Sequence, residues 1–352
     1  MTPSSPPDAA AELERLLAVV AEFRRRIQAE PDSLFPAHAD SLVRLAALLA
    51  ESGETTAAVE AAAEAVELFR AMVEVEPAGF RVHLASALNS LSNRLDEAGN
   101  REAARQACDE AVAESRLALA SQPDQSRFVL VSSLINLAGK RLRDGDTGAC
   151  LDVLVEAVEQ FRAGGAAGTP YLGSMIEALH RAAMAFAEIG QWGEAVDTRR
   201  LMVGLFADGP PPAMVHLLAL TLQQASLAMA GAGRSDIALA SANESVDLAR
   251  LLFEKDPVEY QLFLAQALGN QAGRRHQSGD AEAALDVALE AVNLFHEVVA
   301  KDPAAAVPSM ILTLGNLSAI LNGLGMADQA TIVDEQRGQL QQTMDVLLQG
   351  KA

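Results

Sequence analysis

The chain has 352 residues, half of them apolar but only 4% aromatic, so its interior is built mainly from Ala, Leu and Val. Acidic residues number 47 against 27 basic ones, a formal net charge of −20. That balance disfavours nucleic acid, whose phosphates need Lys and Arg to neutralise them, and anionic membranes for the same reason, while the apolar content excludes a chain too polar to bury a core.

In chain order, residues 1–8 read as a disordered N-terminus, and with no basic residue among the first ten no secretory signal is expected. Leu13, Leu16, Leu17, Val20 and Ile27 then recur at helical spacing, which predicts a single capping helix over 9–30. A repeat follows. Gly53, Gly99, Gly145, Gly190, Gly233, Gly279 and Gly325 stand 43 to 46 residues apart, and each is preceded by a proline, 22 residues back at Pro31, Pro77, Pro123, Pro211, Pro257 and Pro303 and 20 back at Pro170. Proline cannot continue a preceding helix, and glycine takes the left-handed backbone of a helix end without strain. Proline to glycine therefore reads as a helix A, and glycine to the next proline as a helix B.

Fixed offsets support this hairpin. Leucine stands eleven before every glycine, at Leu42, Leu88, Leu134, Leu179, Leu222, Leu268 and Leu314. Seven before comes a small residue (Ala46, Ser92, Ala138, Ala183, Ser226, Ala272, Ser318), and five after comes Ala, or Cys150 in the third repeat. Large against small is what lets two helices interdigitate closely. Repeats 1–3 cover 31–168. An irregular fourth repeat, 169–212, follows the glycines at 164, 165 and 168, ends in Gly209 and Pro210 to Pro212, and is expected to be a hinge. Repeats 5–7 occupy 213–348, closed by a capping helix over about 327–348 that carries Asp334 and Arg337 where earlier units have small or apolar residues.

The leucine, the small residue, the turn glycine and the alanine in tandem antiparallel pairs resemble the tetratricopeptide repeat family over nearly the whole chain. The unit is about 46 residues rather than about 34, as in kinesin-light-chain-like arrays, and the aromatic signature residues are largely aliphatic. The resemblance implies an all-α, right-handed α-solenoid whose A helices line a concave groove, and a non-catalytic adaptor or scaffold that binds a protein or an extended peptide there.

Catalytic and phosphate motifs are absent: the internal Gly-Lys pair, Gly139-Lys140, is followed by Arg and falls inside a helix. No cofactor is expected. Cys108 and Cys150, 42 apart, read as inert core thiols and fit a reducing cytoplasm. Glu177 and His180 share a helix face at metal-ligand spacing but stand alone, so no metal is assigned. Glu pairs on B helices, such as Glu64/Glu67 and Glu156/Glu159, read as solvated faces. The longest apolar runs, such as 16–21, fall short of the roughly 20 residues that span a bilayer. Only four basic residues are Lys, an Arg bias that points to a GC-rich bacterium.

The groove is the candidate site. Nine before each glycine stand Arg44, Ser90, Asn136, Arg181, Gln224, Asn270 and Asn316, none apolar. Amides donate to a peptide carbonyl and accept from a peptide N–H. Family members that capture a C-terminal carboxylate use lysines, asparagines and an arginine from three A helices. Asn93, Asn136 and Arg181 match three of those five places, Asn89 and Glu177 occupy the lysine places, and Lys140 and Arg143 could supply charge nearby. A carboxylate-binding groove, a groove for neutral peptide backbone and a solvated polar face all fit. Two alternative readings stand beside it: a structural or regulatory subunit that self-associates through its ends or groove, and a metalloprotein centred on Glu177 and His180.

Overall fold

The computed structural model describes residues 7–26, 31–165, 170–206 and 208–349, and the glycine expected at 168 lies outside them. Among the described residues the fold is all α-helical, in tandem pairs packed consecutively. It opens with α1 (Pro7–Arg26). Three hairpins follow: α2 (Pro31–Glu51) with α3 (Thr55–Val75), α4 (Pro77–Glu97) with α5 (Arg101–Leu119), and α6 (Pro123–Arg143) with α7 (Thr147–Ala163). The irregular pair is α8 (Leu172–Glu188) and α9 (Trp192–Val203). Then come α10 (Pro212–Gly231) with α11 (Ser235–Lys255), α12 (Pro257–Gln277) with α13 (Ala281–Val299), and α14 (Pro303–Gly323) with α15 (Ala327–Gln349).

The punctuation acts as its chemistry requires. All seven turn glycines have φ between +75° and +89°, the left-handed region where a side chain would strain the backbone. Prolines open α2, α4, α6, α12 and α14, where the missing N–H costs no hydrogen bond. The fourth repeat departs: Pro170 lies two residues before α8, and Pro211 caps a helix that Pro212 begins. Several B helices start on a side-chain cap, as where the Ala103 N–H donates to Asn100 Oδ1 and the Ala283 N–H to Asp280 Oδ1.

The packing offsets form the core. The seven leucines are at most 1% exposed, the seven small residues at most 5%, and the residues five after the glycines at most 2%. Helices α10 and α14 depart from the expectation drawn from uninterrupted runs, since by length and composition both are long and apolar enough to cross a membrane. Both are A helices with neighbours on several sides, α10 against α9, α11 and α12, and α14 against α12, α13 and α15.

The chain divides into two compact units, Met1–Leu179 and His180–Ala352. Within the first, each helix from α1 to α7 packs on the next, and the A helices α2, α4 and α6 also touch one another in turn. Within the second, consecutive packing runs from α9 to α15, and α10, α12 and α14 touch in turn. Among the described residues no two B helices come as close. Each unit therefore has a crowded side of A helices and a spread side of B helices. The crowding is tightest between α12 and α14, where a Cβ on Gly269 would fall 2.3 Å from Thr313 Oγ1.

Candidate interaction surface

Residues thirteen, nine and six before each turn glycine point away from the hairpin's own core along the A helices. In the first unit these are Asp40, Arg44 and Ala47 on α2, Ser86, Ser90 and Asn93 on α4, and Ser132, Asn136 and Gly139 on α6. In the second unit they are Leu220, Gln224 and Leu227 on α10, Gln266, Asn270 and Gly273 on α12, and Leu312, Asn316 and Ala319 on α14. The two units thus present different chemistry at the same positions, hydrophilic in one and leucine-bearing in the other.

Several of the expected groove residues are engaged within the protein. Asn89 is buried; its Nδ2 donates to Ser133 Oγ at 2.7 Å and its Oδ1 accepts from Asn136 Nδ2 at 3.2 Å, so both amides tie α4 to α6. Lys140 is 5% exposed, and its ammonium lies 3.2 Å from Asp96 Oδ2, which also pairs with Arg143. A buried ammonium keeps its carboxylate, because separating them leaves an uncompensated charge. Asn93 and Arg143 line an open cavity of about 450 Å³ together with Arg94, Asp96 and Arg101. Asn316 Nδ2 donates to the Gly269 carbonyl at 3.2 Å. Arg44 pairs with Glu12 of α1 at 3.1 Å.

Two amides differ. Gln224 is exposed on α10, between Leu220 and Leu227. Asn270 on α12 has both Oδ1 and Nδ2 shielded from solvent and without a hydrogen-bond partner. Arg181 is exposed on α8, in the second unit, whereas Asn93 and Asn136 belong to the first.

Around His180 the dominant contact is cationic. Its Nδ1 lies 2.8 Å from Arg199 Nη1, so this nitrogen accepts from a guanidinium, and burial together with the Arg199 charge lowers the imidazole's pKa. Arg199 itself is only 2% exposed, with its Nε lacking a partner, and burial lowers its pKa too. Among the described residues no three His, Cys, Asp or Glu side chains gather as a metal site would need. Cys108 and Cys150 are fully buried, and desolvation pushes both thiols up to about 11.

One expectation is corrected. Glu64 and Glu156 are not merely solvated: Glu64 pairs with Arg24, and Glu156 with Arg116 at 2.5 Å. Arg70–Glu110, Arg200–Glu244 and Arg250–Glu290, each at 2.6 Å, extend the series, and Gln336 Nε2 donates to His296 Nε2 at 3.2 Å in the corresponding place of the last pair. These rungs join successive B helices on the spread side, where long side chains reach across what backbones do not. The signal was present in the sequence as Glu or Gln eleven after six of the seven glycines, Gly190 excepted, and Arg or His seventeen after five of them. It is invisible when each helix is read alone.

No family model matches the chain, and no curated protein does. Among solved structures it is similar to BtubC (BKLC) from P. vanneervenii, at 14% identity over 68% of this chain and 91% of that one, with a TM-score of 0.40. It is also similar to kinesin-light-chain TPR-like repeats from Podosopora anserina, at 18% identity over 61% and 96%, TM-score 0.35. A third is YrrB, a TPR protein with an unusual peptide-binding site, at 16% identity over 64% and 91%, TM-score 0.37.

Proposed function

We propose that the chain is a cytoplasmic, non-catalytic adaptor or scaffold that holds an extended segment of a partner protein along exposed A-helix positions, chiefly those of its second unit. The observation that carries this reading is a set of leucines left in water beside amides. Leu220, Leu227 and Leu312 are 37%, 53% and 72% exposed, on helices α10 and α14 that flank Asn270 of α12. Burying such side chains under a partner gains roughly 25 cal/mol per Å² of apolar surface. The amides then supply direction: the exposed Gln224, between Leu220 and Leu227, offers a donor and an acceptor, the pair an extended backbone requires. The polar row of the first unit contributes less, since Asn89, Asn136 and Lys140 are already engaged.

The test is affinity capture from the native host followed by binding measurements on the captured protein. Leu227→Glu and Leu312→Glu should each weaken retention at least tenfold, with unchanged circular dichroism. Arg44→Ala, at the same kind of position in the first unit, should leave it within about twofold, because its guanidinium already pairs with Glu12 and such exposed pairs are worth little. Equal retention by all three variants would sink the reading.

A further inference from the structure

The fourth repeat breaks the register of the rungs. Elsewhere the arginine stands seventeen after its glycine, as Arg70, Arg116 and Arg250 do, but Arg200 stands ten after Gly190 while its partner Glu244 keeps the usual eleven after Gly233. Seven residues are two helical turns on the same face, about 10 Å. Helix α9, only 12 residues long, is thus joined to α11 from a point two turns nearer its own start. A cavity of about 320 Å³ lies between these two helices.

Its chemistry is divided. The floor is Leu222, Ala225 and Met229 of α10, and the walls include Trp192, the one tryptophan of the chain, which packs against the Val196 and Leu222 core. At the mouth, a single guanidinium serves two carboxylates: Arg200 reaches Asp197 at 2.9 Å and Glu244 at 2.6 Å. The mouth therefore carries one negative charge in excess, above an apolar floor and an indole. Small-molecule pockets have this form, mostly apolar with a few polar groups that orient the ligand, and volumes from roughly 300 Å³ upward.

We propose that this cavity binds a small organic amine, with a ring-sized apolar body against Trp192, Leu222 and Met229 and an ammonium group at Asp197 and Glu244. A cation gains from the excess carboxylate and from the indole face. An anion would have to draw Arg200 away from both partners. The floor belongs to the side of α10 turned toward α9 and α11, whereas Leu220 and Leu227 are exposed on another face of that helix, so the site is separate from the partner-binding surface proposed above and stands or falls without it.

The lone tryptophan makes the test direct, because excitation at the red edge reports Trp192 alone. Titration of the full chain with 2-phenylethylamine should change its emission saturably. The neutral 2-phenylethanol should bind about two- to fivefold more weakly, the scale of one exposed ion pair, and phenylacetate more weakly still. Asp197→Asn should remove the preference of amine over alcohol. Ala240→Phe, at an exposed position on the lip, should abolish the change with the melting temperature preserved. A non-saturating response to the amine, equal responses to the three probes, or full binding by the well-folded Ala240→Phe variant would each overturn the proposal.

Discussion

Arg70 on α3 and Glu110 on α5 pair at 2.6 Å, although the two helices that carry them make no close backbone approach. The guanidinium also reaches Glu67 at 2.5 Å, one turn away on its own helix. Both members are about 40% exposed, which places the pair in the class whose worth is small and screened. A double-mutant cycle with Arg70→Ala and Glu110→Ala should give a coupling of about 0.2–1 kcal/mol at low salt. Urea denaturation in 1 M salt, where the screening length falls to about 3 Å, should reduce it by half or more. A coupling indifferent to salt would mean that the rung acts through packing.

Two helical glycines should respond to alanine with opposite signs. Gly139 on α6 has open space where a Cβ would stand, so Gly139→Ala should stabilise by about 0.5–1 kcal/mol through helix propensity. At Gly269 the new Cβ meets Thr313 Oγ1 and α12 must move off α14, which should cost about 1–3 kcal/mol. Chemical denaturation of the two variants checks this. Stabilisation by both would mean that α12 and α14 are further apart than described.

Acid should weaken the fold before the carboxylates titrate. Burial lowers the pKa of His38, His180 and His216, so in the unfolded chain these imidazoles protonate first as pH falls. The unfolded state then binds more protons, and stability is lost from about pH 6.5 downward until the folded values are passed. Glu64, held below the usual carboxylate range mainly by the Arg24 hydrogen bond, adds its own loss below about pH 4.5. Denaturation midpoints at pH 7.5 and 5.5 should differ, and His216→Gln should narrow the gap. An equal or higher midpoint at pH 5.5 would contradict this.

The thiols of Cys108 and Cys150 are buried and held near 11, so few are thiolates at pH 8. A disulfide reagent should label neither on the timescale of minutes in the native protein and both at once in urea. Rapid labelling of the native chain would show that a hairpin opens readily.

The hairpins were legible in the sequence because their determinants are local and repeated. A left-handed glycine ends a helix wherever it stands, and a leucine such as Leu134 finds its core because apolar burial is a sum over many contacts that tolerates small errors of position. Polar partnerships escaped that reading. Asn89 looked like a groove residue and lies inside the contact of α4 with α6, while Glu64 looked solvated and is held by Arg24 from another helix. A hydrogen bond requires two groups within about 3 Å, and the distance between neighbouring repeats, small between A helices and large between B helices, is written in no single segment. The sequence by itself thus determined, outside the irregular fourth repeat, where the hairpins turn and which leucines they bury. Only the tertiary structure decided which amides and carboxylates are engaged, which leucines stay in water, and where the two-turn offset of Arg200 leaves a cavity between α9 and α11.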